Sequence, residues 1–538
     1  MNNVQEQKQV AVRINESNLL KNLRYAFSNR YTIVTELLQN ARRAGASYVV
    51  VEYDVAAQTL MVRDDGVGID DFQKLFSFGE SGWEESLVAS ETAFGLGFTK
   101  SLYAATTCTV LSRGHAISFE TAEALDQRPI TVNTVPTSSE TTVILGGVAL
   151  PELDRRMANL VCGFPIKVIY NGIEQLRPYA VQNIATLDAP IGRAYLRGYW
   201  DDKKASASSV VFLQGFVISG NLLYAESQNI VHLDSTQFAA RLPDRDVLID
   251  ADEQLKRVDA ALKALWRDHL VRARSALPAS GFVERYFEVA KTWRLLDLFD
   301  DVPALPGSLF SAISDYPYRE GYGDADYLTH LDHMVTQADI ESGTPNLVDL
   351  DGPDDDTVAH WMFARARGWV VFNDPGLSKQ HWIKPFVKAL ESEPCEIAIE
   401  GEGARAGLDG QWICPTVMLC DAYVVCWKGE AVRITDEALY WTEEQLILVP
   451  PGESTGSAVR QVSSYIDDHD QWREGEQEHD ENALEDLIRL LRATDPLGAL
   501  ESLLDELHLE RYPTLQGKTF KLKVGQAADD RELALVDE

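Results

Sequence analysis

The chain has 538 residues, a net charge of −34 and six cysteines, with 45% hydrophobic and 25% charged residues. It is too long for one hydrophobic core, so we expect about two to four domains of an ordinary globular protein. The sequence has no long apolar run, no secretory signal and no disulfide framework, which excludes membrane-spanning and secreted classes and predicts a cytoplasmic protein. The negative net charge predicts an acidic surface, which disfavours broad contact with nucleic acid.

Hydrophobic periodicity predicts an α+β fold in the first 150 residues. Two helices, at 16–28 and 31–46, precede two strands and a glycine-rich turn. A short amphipathic stretch and a polar segment then lead to a second glycine-rich turn at 95–97, which opens a helix. The predicted strands are 48–53, 59–63, 108–112, 130–134 and 141–145. Helices beside a mostly antiparallel sheet are typical of the α+β class, whereas an alternating βαβ chain would indicate a parallel sheet.

The rest of the chain gives weaker signals. Strands are predicted at 167–171, 209–219 and 238–249, followed by a long helix at 252–277, and further strands fall between 365 and 450. Residues 451–482 are polar and acidic, which is typical of a linker, and two amphipathic helices follow. The predicted domains are 1–150, 151–280, 281–450 and 451–538.

The first candidate site segment lies on the helix at 31–46. Glu36 and Asn40 are four residues apart, so both side chains lie on one face, and Arg43 follows a turn later. A carboxylate there can accept a proton from an attacking water, and an amide oxygen can bind Mg²⁺. Taken alone, such a pair is more often an ordinary surface feature of a helix.

Two glycine-rich turns supply the other candidate residues. Asp64 ends a strand directly before Gly66 and Gly68, and an aspartate there can accept a hydrogen bond from the adenine amine while the glycines let the backbone pass close to the nucleotide. Gly95, Leu96, Gly97 and Phe98 run into a helix that is suited to phosphate binding, and Lys100 adds a positive charge that is either near the phosphates or solvated.

In this order the segments resemble the GHKL superfamily of gyrase, histidine kinases, MutL and the ninety-kilodalton heat-shock chaperones. The resemblance implies a Bergerat-type α/β sandwich that binds ATP and Mg²⁺, with Glu36 as the general base and Asn40 as the magnesium ligand. It implies an ATP lid at 70–94. It also identifies Thr141 as the threonine beside the adenine-binding aspartate, although Glu140 replaces the glycine that usually precedes that threonine.

The resemblance extends to a transducer-like domain at 151–280. A residue of this domain contacts the γ-phosphate in gyrase, MutL and the chaperones, and Arg245 takes its place here, with Arg241 as the nearby alternative. Arg43 replaces an aspartate of MutL and the chaperones. It is expected to touch phosphate or to pair with Asp64 or Glu36, and pairing with Glu36 would weaken that residue as a base.

The sequence therefore predicts an ATP-operated conformational switch that acts on a protein partner, as a chaperone or scaffold does, with a homodimer as one possible form. A MutL-like ATPase of DNA transactions or genome defence is the alternative. A histidine kinase is disfavoured because no histidine precedes Glu36, and a type II topoisomerase would need a far longer chain.

Overall fold

The computed structural model describes residues 29–77, 98–201, 203–241, 245–315, 317–319, 326–353, 357–452, 456–506, 509–525 and 531–536, together with residues 11, 15, 18, 20, 22 and 25. The chain divides into two compact units. The first comprises Met1–Leu277 and Arg285–Leu295, and the second comprises Pro278–Glu284 and Leu296–Glu538.

An eight-stranded mixed sheet begins the first unit. Its strands are β1 (Tyr48–Asp54), β2 (Thr59–Asp64), β3 (Thr107–Ser112), β4 (His115–Glu120), β5 (Asn133–Thr134), β6 (Thr141–Gly146), β7 (Lys167–Tyr170) and β8 (Ile173–Glu174). Their spatial order is β5-β4-β3-β6-β2-β1-β7-β8. All neighbours are antiparallel except β1 and β7, which are parallel.

Helices share a core with this sheet. They are α1 (Thr32–Arg43), α2 (Thr99–Ala104), α3 (Thr121–Leu125) and α4 (Leu153–Val161). The apolar side chains of α1 recur at helical spacing and pack with those of the central strands, so the helix lies against the sheet along its length. The predicted fold class, a sheet with helices followed by further α/β regions, is confirmed.

A five-stranded sheet completes the first unit. Its strands are β9 (Leu187–Ala189), β10 (Gly192–Tyr195), β11 (Ser209–Leu213), β12 (Phe216–Ser219) and β13 (Asn229–Leu233), in the order β12-β11-β13-β10-β9. Helix α5 (Ala251–Ala276) follows and buries one residue per turn. The hairpin between β11 and β12 turns through Gln214 and Gly215, both with positive φ, which is the geometry of a two-residue type I′ turn.

The structure corrects several predictions in this unit. Residues 167–174 extend the first sheet, because β7 pairs with β1, so the predicted boundary at 150 falls before the sheet is complete. The strand predicted at 238–249 is wrong: the described part has only one isolated bridge, and the left-handed φ of Arg245 is incompatible with an extended strand. Strand β4 and helix α3 were not predicted. Most of the helix predicted at 16–28 lies outside the described residues.

The second unit contains several small sheets. Helix α6 (Ala279–Thr292) crosses the division between the units. Strands and helices of the second unit then follow in this order: β14 (Ala304–Leu305), β15 (Phe310–Ile313), β16 (Leu328–His330), β17 (Val335–Thr336), α7 (Gln337–Glu341), β18 (Leu347–Asp349), α8 (Val358–Ala366), β19 (Val370–Phe372), β20 (Val387–Ala389), β21 (Glu396–Glu400), β22 (Arg405–Gly407), β23 (Thr416–Leu419), β24 (Ala422–Trp427), β25 (Glu430–Ile434), β26 (Leu439–Trp441), β27 (Leu446–Val449), α9 (Val459–Val462), α10 (Glu474–Arg492), α11 (Pro496–Glu506), β28 (Thr519–Val524) and β29 (Arg531–Val536).

Five sheets arise from these strands, with the orders β14-β17, β16-β15-β19-β18-β20, β21-β24-β25, β22-β23-β27-β26 and β28-β29. One core surrounds helix α8, and a second lies between α10 and the sheet that contains β23 and β27. Among the described helices, none is both long enough and apolar enough to cross a membrane.

The acidic linker predicted at 451–482 is wrong for its C-terminal part, because α10 begins at Glu474. Asp480 on this helix is fully buried. Its carboxylate accepts hydrogen bonds from the backbone N–H groups of Gln411, Trp412 and Ile413 and from the hydroxyl of Tyr465. A buried carboxylate with four donors fixes the 410–413 turn to the helix, and the acidic composition alone did not reveal it.

We predict that Asp480→Ala lowers the free energy of unfolding of the second unit by about 3 kcal/mol, because three buried backbone donors and one hydroxyl lose their acceptor. The matched control is Asp486→Ala on the same helix, where the partly exposed carboxylate pairs with Arg489. That change should cost less than about 1 kcal/mol. Chemical denaturation followed by tryptophan fluorescence measures both, and equal effects of the two substitutions would contradict the structural role of Asp480.

Candidate nucleotide site

Glu36 lies in the middle of α1 and is 4% exposed. Two cations from different parts of the first unit approach the same oxygen of its carboxylate. Lys100 Nζ, on α2, lies 3.5 Å from Glu36 Oε1, and Arg245 Nε, beyond the second sheet, lies 3.4 Å from that atom. The structure therefore brings together the predicted base and the predicted cation, and it adds Lys100 to them.

The other oxygen of Glu36 has a different environment. Glu36 Oε2 is buried and has no hydrogen-bond partner among the described residues. A cavity of about 300 Å³ borders the same side chain and is also lined by Gln39, Arg156, Gln214 and Arg245. A cavity of this size holds several water molecules, and Glu36 is one of the residues that border it.

Asp64 and Thr141 are direct partners across strands β2 and β6. Both side chains are buried, at 9% and 6% exposure. Ser112, at the end of β3, extends this cluster: its hydroxyl is 2.8 Å from that of Thr141 and accepts a hydrogen bond from the backbone N–H of Ile69. The sheet register thus places Thr141 beside Asp64, the position that the family resemblance implied for it.

Burial raises the pKa of Asp64 from its ordinary value of 3.8 to about 6, and the hydrogen bond from the backbone N–H of Gly66 opposes part of this shift. The negative charges of Asp65 and Glu140 add to the rise. An aspartate that is buried at a cost is a common sign of a binding site, because a ligand that donates a hydrogen bond recovers part of that cost.

Gly66 and Gly68 shape the turn after Asp64. A Cβ on Gly66 would lie 2.5 Å from Ala44 Cβ and 2.9 Å from Ala44 O, so only glycine lets this turn approach the end of α1. Val67 N donates to Ala44 O at 2.9 Å and holds the two segments together. Gly68 has a φ of +80°, which favours glycine. The turn thus ties the segment of Asp64 to that of Asn40.

The predicted phosphate-binding turn is only partly described. Gly95, Leu96 and Gly97 lie outside the described residues, as does most of the predicted lid at 70–94. Phe98 immediately precedes helix α2 and is half-buried, and Lys100 follows it in the first turn. Lys100 is 4% exposed and paired with Glu36, so the alternative of a solvated lysine is wrong.

The structure places two departures from the family pattern, Glu140 and Arg43. The Glu140 carboxylate accepts a hydrogen bond from the hydroxyl of Tyr48 at 2.5 Å and lies 3.6 Å from Arg63 Nε, so it is satisfied on the sheet surface beside the site. Among the described residues, the ion-pair partners of Glu36 are Lys100 and Arg245, and not Arg43. Asp64 likewise accepts from Gly66 rather than from Arg43.

Sequence reasoning missed Ser112 and Gln214. Ser112 ends a strand at a turn, which gives no sign of its contact with Thr141. Gln214 sits at the tip of the β11–β12 hairpin and accepts a hydrogen bond from the side-chain amide of Gln39 on α1. The sequence of the two-residue turn predicts a hairpin at Gln214. It does not predict the contact with Gln39, because that contact depends on tertiary packing.

Asp64, Thr141 and Asn40 carry groups that an adenine base and a magnesium ion would need. Asp64 and Thr141 offer a buried acceptor and a buried hydroxyl that could face the base, and the lack of a Cβ on Gly66 lets the turn after Asp64 approach the end of α1. Asn40, half-buried and four residues after Glu36 on α1, carries the amide oxygen that would hold Mg²⁺, whose charge would offset that of the phosphates.

Residues 26–142 match the family model described as "Histidine kinase-, DNA gyrase B-, and HSP90-like ATPase", and this part of the chain is similar to that family. No curated protein matches the sequence. Among solved structures, one titled "Crystal Structure of N terminal domain of a DNA repair protein" is similar, with 14% identity and a TM-score of 0.31 over 49% of this chain and 100% of that chain.

We predict that Asp64→Asn stabilises the nucleotide-free protein at pH 7 by up to about 3 kcal/mol, the equivalent of a pKa rise from 3.8 to about 6. In the wild type the folded state holds this proton more tightly than the unfolded chain, so stability falls as pH rises from about 4 to about 6. The asparagine variant does not titrate there. Thermal unfolding of both proteins across this range measures the difference, and a gain that does not depend on pH would contradict the assignment.

Gly66→Ala is predicted to abolish nucleotide binding and to destabilise the first unit by about 2 kcal/mol or more, because its Cβ would meet both the side chain and the backbone of Ala44. Gly407→Ala is the control, since a Cβ there meets nothing within 4 Å. Calorimetric titration with ATP and thermal unfolding measure the two effects. Retention of wild-type affinity by Gly66→Ala would show that the turn does not lie against the nucleotide.

Proposed function

We propose that this protein binds ATP with Mg²⁺ and hydrolyses it slowly or on stimulation by a partner, and that it works as a conformational switch on a protein partner. The match of residues 26–142 to the ATPase family model supports the nucleotide and the ATPase class. The reaction and the partner are inferred from the chemistry of the site and the charge of the chain.

The observation that carries the proposal is the contact of Arg245 with Glu36. Arg245 follows the second sheet in the chain, whereas Glu36 lies on the helix that covers the first. Arg245 also adopts a left-handed φ of 56°, a conformation that costs free energy in a residue other than glycine and that often marks a functional position. A nucleotide-dependent switch requires a contact between its parts that can respond to the nucleotide. Here a cation that follows the second sheet contacts Glu36, the proposed general base beside the first sheet.

In the proposed reaction, Glu36 Oε2 accepts a proton from a water molecule while the water oxygen attacks the γ-phosphorus. The bond between that phosphorus and the bridging oxygen to the β-phosphate breaks, and ADP and phosphate form. Arg245 stabilises the negative charge on the transferred group. The cavity beside Glu36 provides room for the water, and the buried position of the carboxylate strengthens its interaction with nearby charges.

The net charge of −34 favours a protein partner over the phosphate backbone of DNA. A chaperone-like or scaffold role therefore comes first, with ATP-driven dimerisation of two chains as one way to couple the nucleotide to a partner. The six cysteines are spread over the chain, and we propose a reducing, cytoplasmic compartment on that ground.

Steady-state ATP hydrolysis with Mg²⁺ tests the reaction. We expect Glu36→Gln to bind ATP but to lose at least about a hundredfold in kcat, because the amide cannot accept the proton. Arg245→Met should lower kcat as well. Glu52→Gln, on the exposed side of β1, and Arg128→Met, at an exposed ion pair, are the matched controls and should keep wild-type rates. A Glu36→Gln protein that retains turnover would remove Glu36 from the mechanism.

Stimulation of the wild-type rate separates the partner classes. Partially unfolded proteins or protein partners should raise the rate if the protein acts on proteins. A rise with double-stranded DNA that falls with added salt would instead favour a DNA transaction. If neither changes a low basal rate, the protein uses ATP mainly as a structural ligand, and the switch proposal is wrong in its catalytic part.

A further inference from the structure

The pairing of one carboxylate oxygen with two cations is unusual for a general base. Lys100 and Glu36 are nearly inaccessible, with 4% and 5% of their side chains exposed, and Arg245 is 18% exposed. Both cations approach Oε1, at 3.5 Å and 3.4 Å, while Oε2 remains buried without a hydrogen-bond partner among the described residues. The cations are therefore placed to neutralise Glu36 without occupying the oxygen that would take a proton.

The same two side chains suit a terminal phosphate better than a carboxylate. A γ-phosphate carries more negative charge than a carboxylate and offers three oxygens, and a guanidinium binds such a group through two parallel hydrogen bonds. Buried charges interact strongly because solvent screening is weak there. A phosphate that arrives beside Glu36 therefore competes with it for both cations.

The two cations also belong to different parts of the first unit. Lys100 lies in the first turn of α2, directly after the second glycine-rich turn of the sequence, whereas Arg245 comes from the loop before α5. The hairpin contact between Gln214 and Gln39 lies on the same face of α1, beside the same cavity. If Arg245 left Glu36, the contact between α1 and the loop before α5 would therefore change.

We propose that Lys100 is a second cation of the γ-phosphate site, and that Lys100 and Arg245 are held by Glu36 until ATP arrives and then transfer to the γ-phosphate. This inference rests on the proposed ATPase function and deepens it. Glu36 is then neutralised when no nucleotide or only ADP is bound, and it becomes an active base only when a γ-phosphate takes its cations. Arg245 leaves Glu36 in the same step, which passes the presence of ATP to the second sheet.

The exchange predicts that Glu36 and the γ-phosphate oppose each other in binding. Glu36→Gln should bind the non-hydrolysable analogue AMP-PNP about tenfold more tightly than the wild type, since its cations no longer have to leave a carboxylate. Its affinity for ADP, which lacks the γ-phosphate, should stay unchanged. Calorimetric titration with the full chain and Mg²⁺ measures both ligands without interference from turnover, and Glu52→Gln serves as the control.

Lys100 is tested by the same pair of ligands. Lys100→Met should weaken AMP-PNP binding about tenfold and leave ADP binding unchanged, whereas Lys100→Arg should restore most of the affinity for AMP-PNP. A purely structural role of the lysine would weaken both ligands together, or would leave both unchanged. Lys167→Met, which removes an exposed lysine at the start of β7, is the matched control.

The outcomes separate this inference from the proposed function. If the wild type binds neither AMP-PNP nor ADP, the proposed function itself fails. If the wild type binds both and hydrolyses ATP, but the ratio of the two affinities is the same in Glu36→Gln and Lys100→Met as in the wild type, the exchange is wrong while the ATPase stands. A rise of the ratio in Glu36→Gln and a fall in Lys100→Met support the exchange.

Discussion

The buried carboxylate of Glu36 is the constraint on which the candidate site depends. An anion in the interior must be compensated, and here Lys100 and Arg245 provide the opposite charge from two separate segments. Their placement requires α1 against the first sheet, α2 beside α1, and the loop before α5 in reach of both. The compensation of one charge thus links the nucleotide domain to the second sheet of the same unit.

Asp64 has the opposite electrostatic situation. It is buried at the end of β2 beside Asp65 and Glu140, and it accepts a hydrogen bond from the backbone N–H of Gly66. Its ionised form is therefore expensive in the protein without nucleotide, and a stable fold tolerates it because the rest of the sheet contributes a large core. A ligand that donates a hydrogen bond to Asp64 would stabilise the ionised carboxylate, and this stabilisation would add to the free energy of binding.

Much of the first sheet could be predicted from the sequence because its signals are local. The spacing of Glu36 and Asn40 follows from helix geometry, and strands β1, β2 and β6 alternate or run as apolar segments. The pairing of Asp64 with Thr141 came from the family resemblance, and the ladder agrees with it. The contacts of Lys100 with Glu36, of Ser112 with Thr141 and of Asp480 with the 410–413 turn could not be predicted, since each joins segments that are far apart in the chain. The segment 238–249 was predicted as a strand, whereas the left-handed φ of Arg245 interrupts it.

Equilibrium binding of ATP to the wild-type chain in the presence of Mg²⁺ tests the central claim most directly. Calorimetric titration should show one ATP per chain, and excess adenosine should compete with it, since Asp64 and Thr141 are placed to recognise the base. Absence of binding at millimolar ATP, or binding that adenosine leaves unaffected, would contradict the assignment of the adenine site and with it the mechanism built on Glu36.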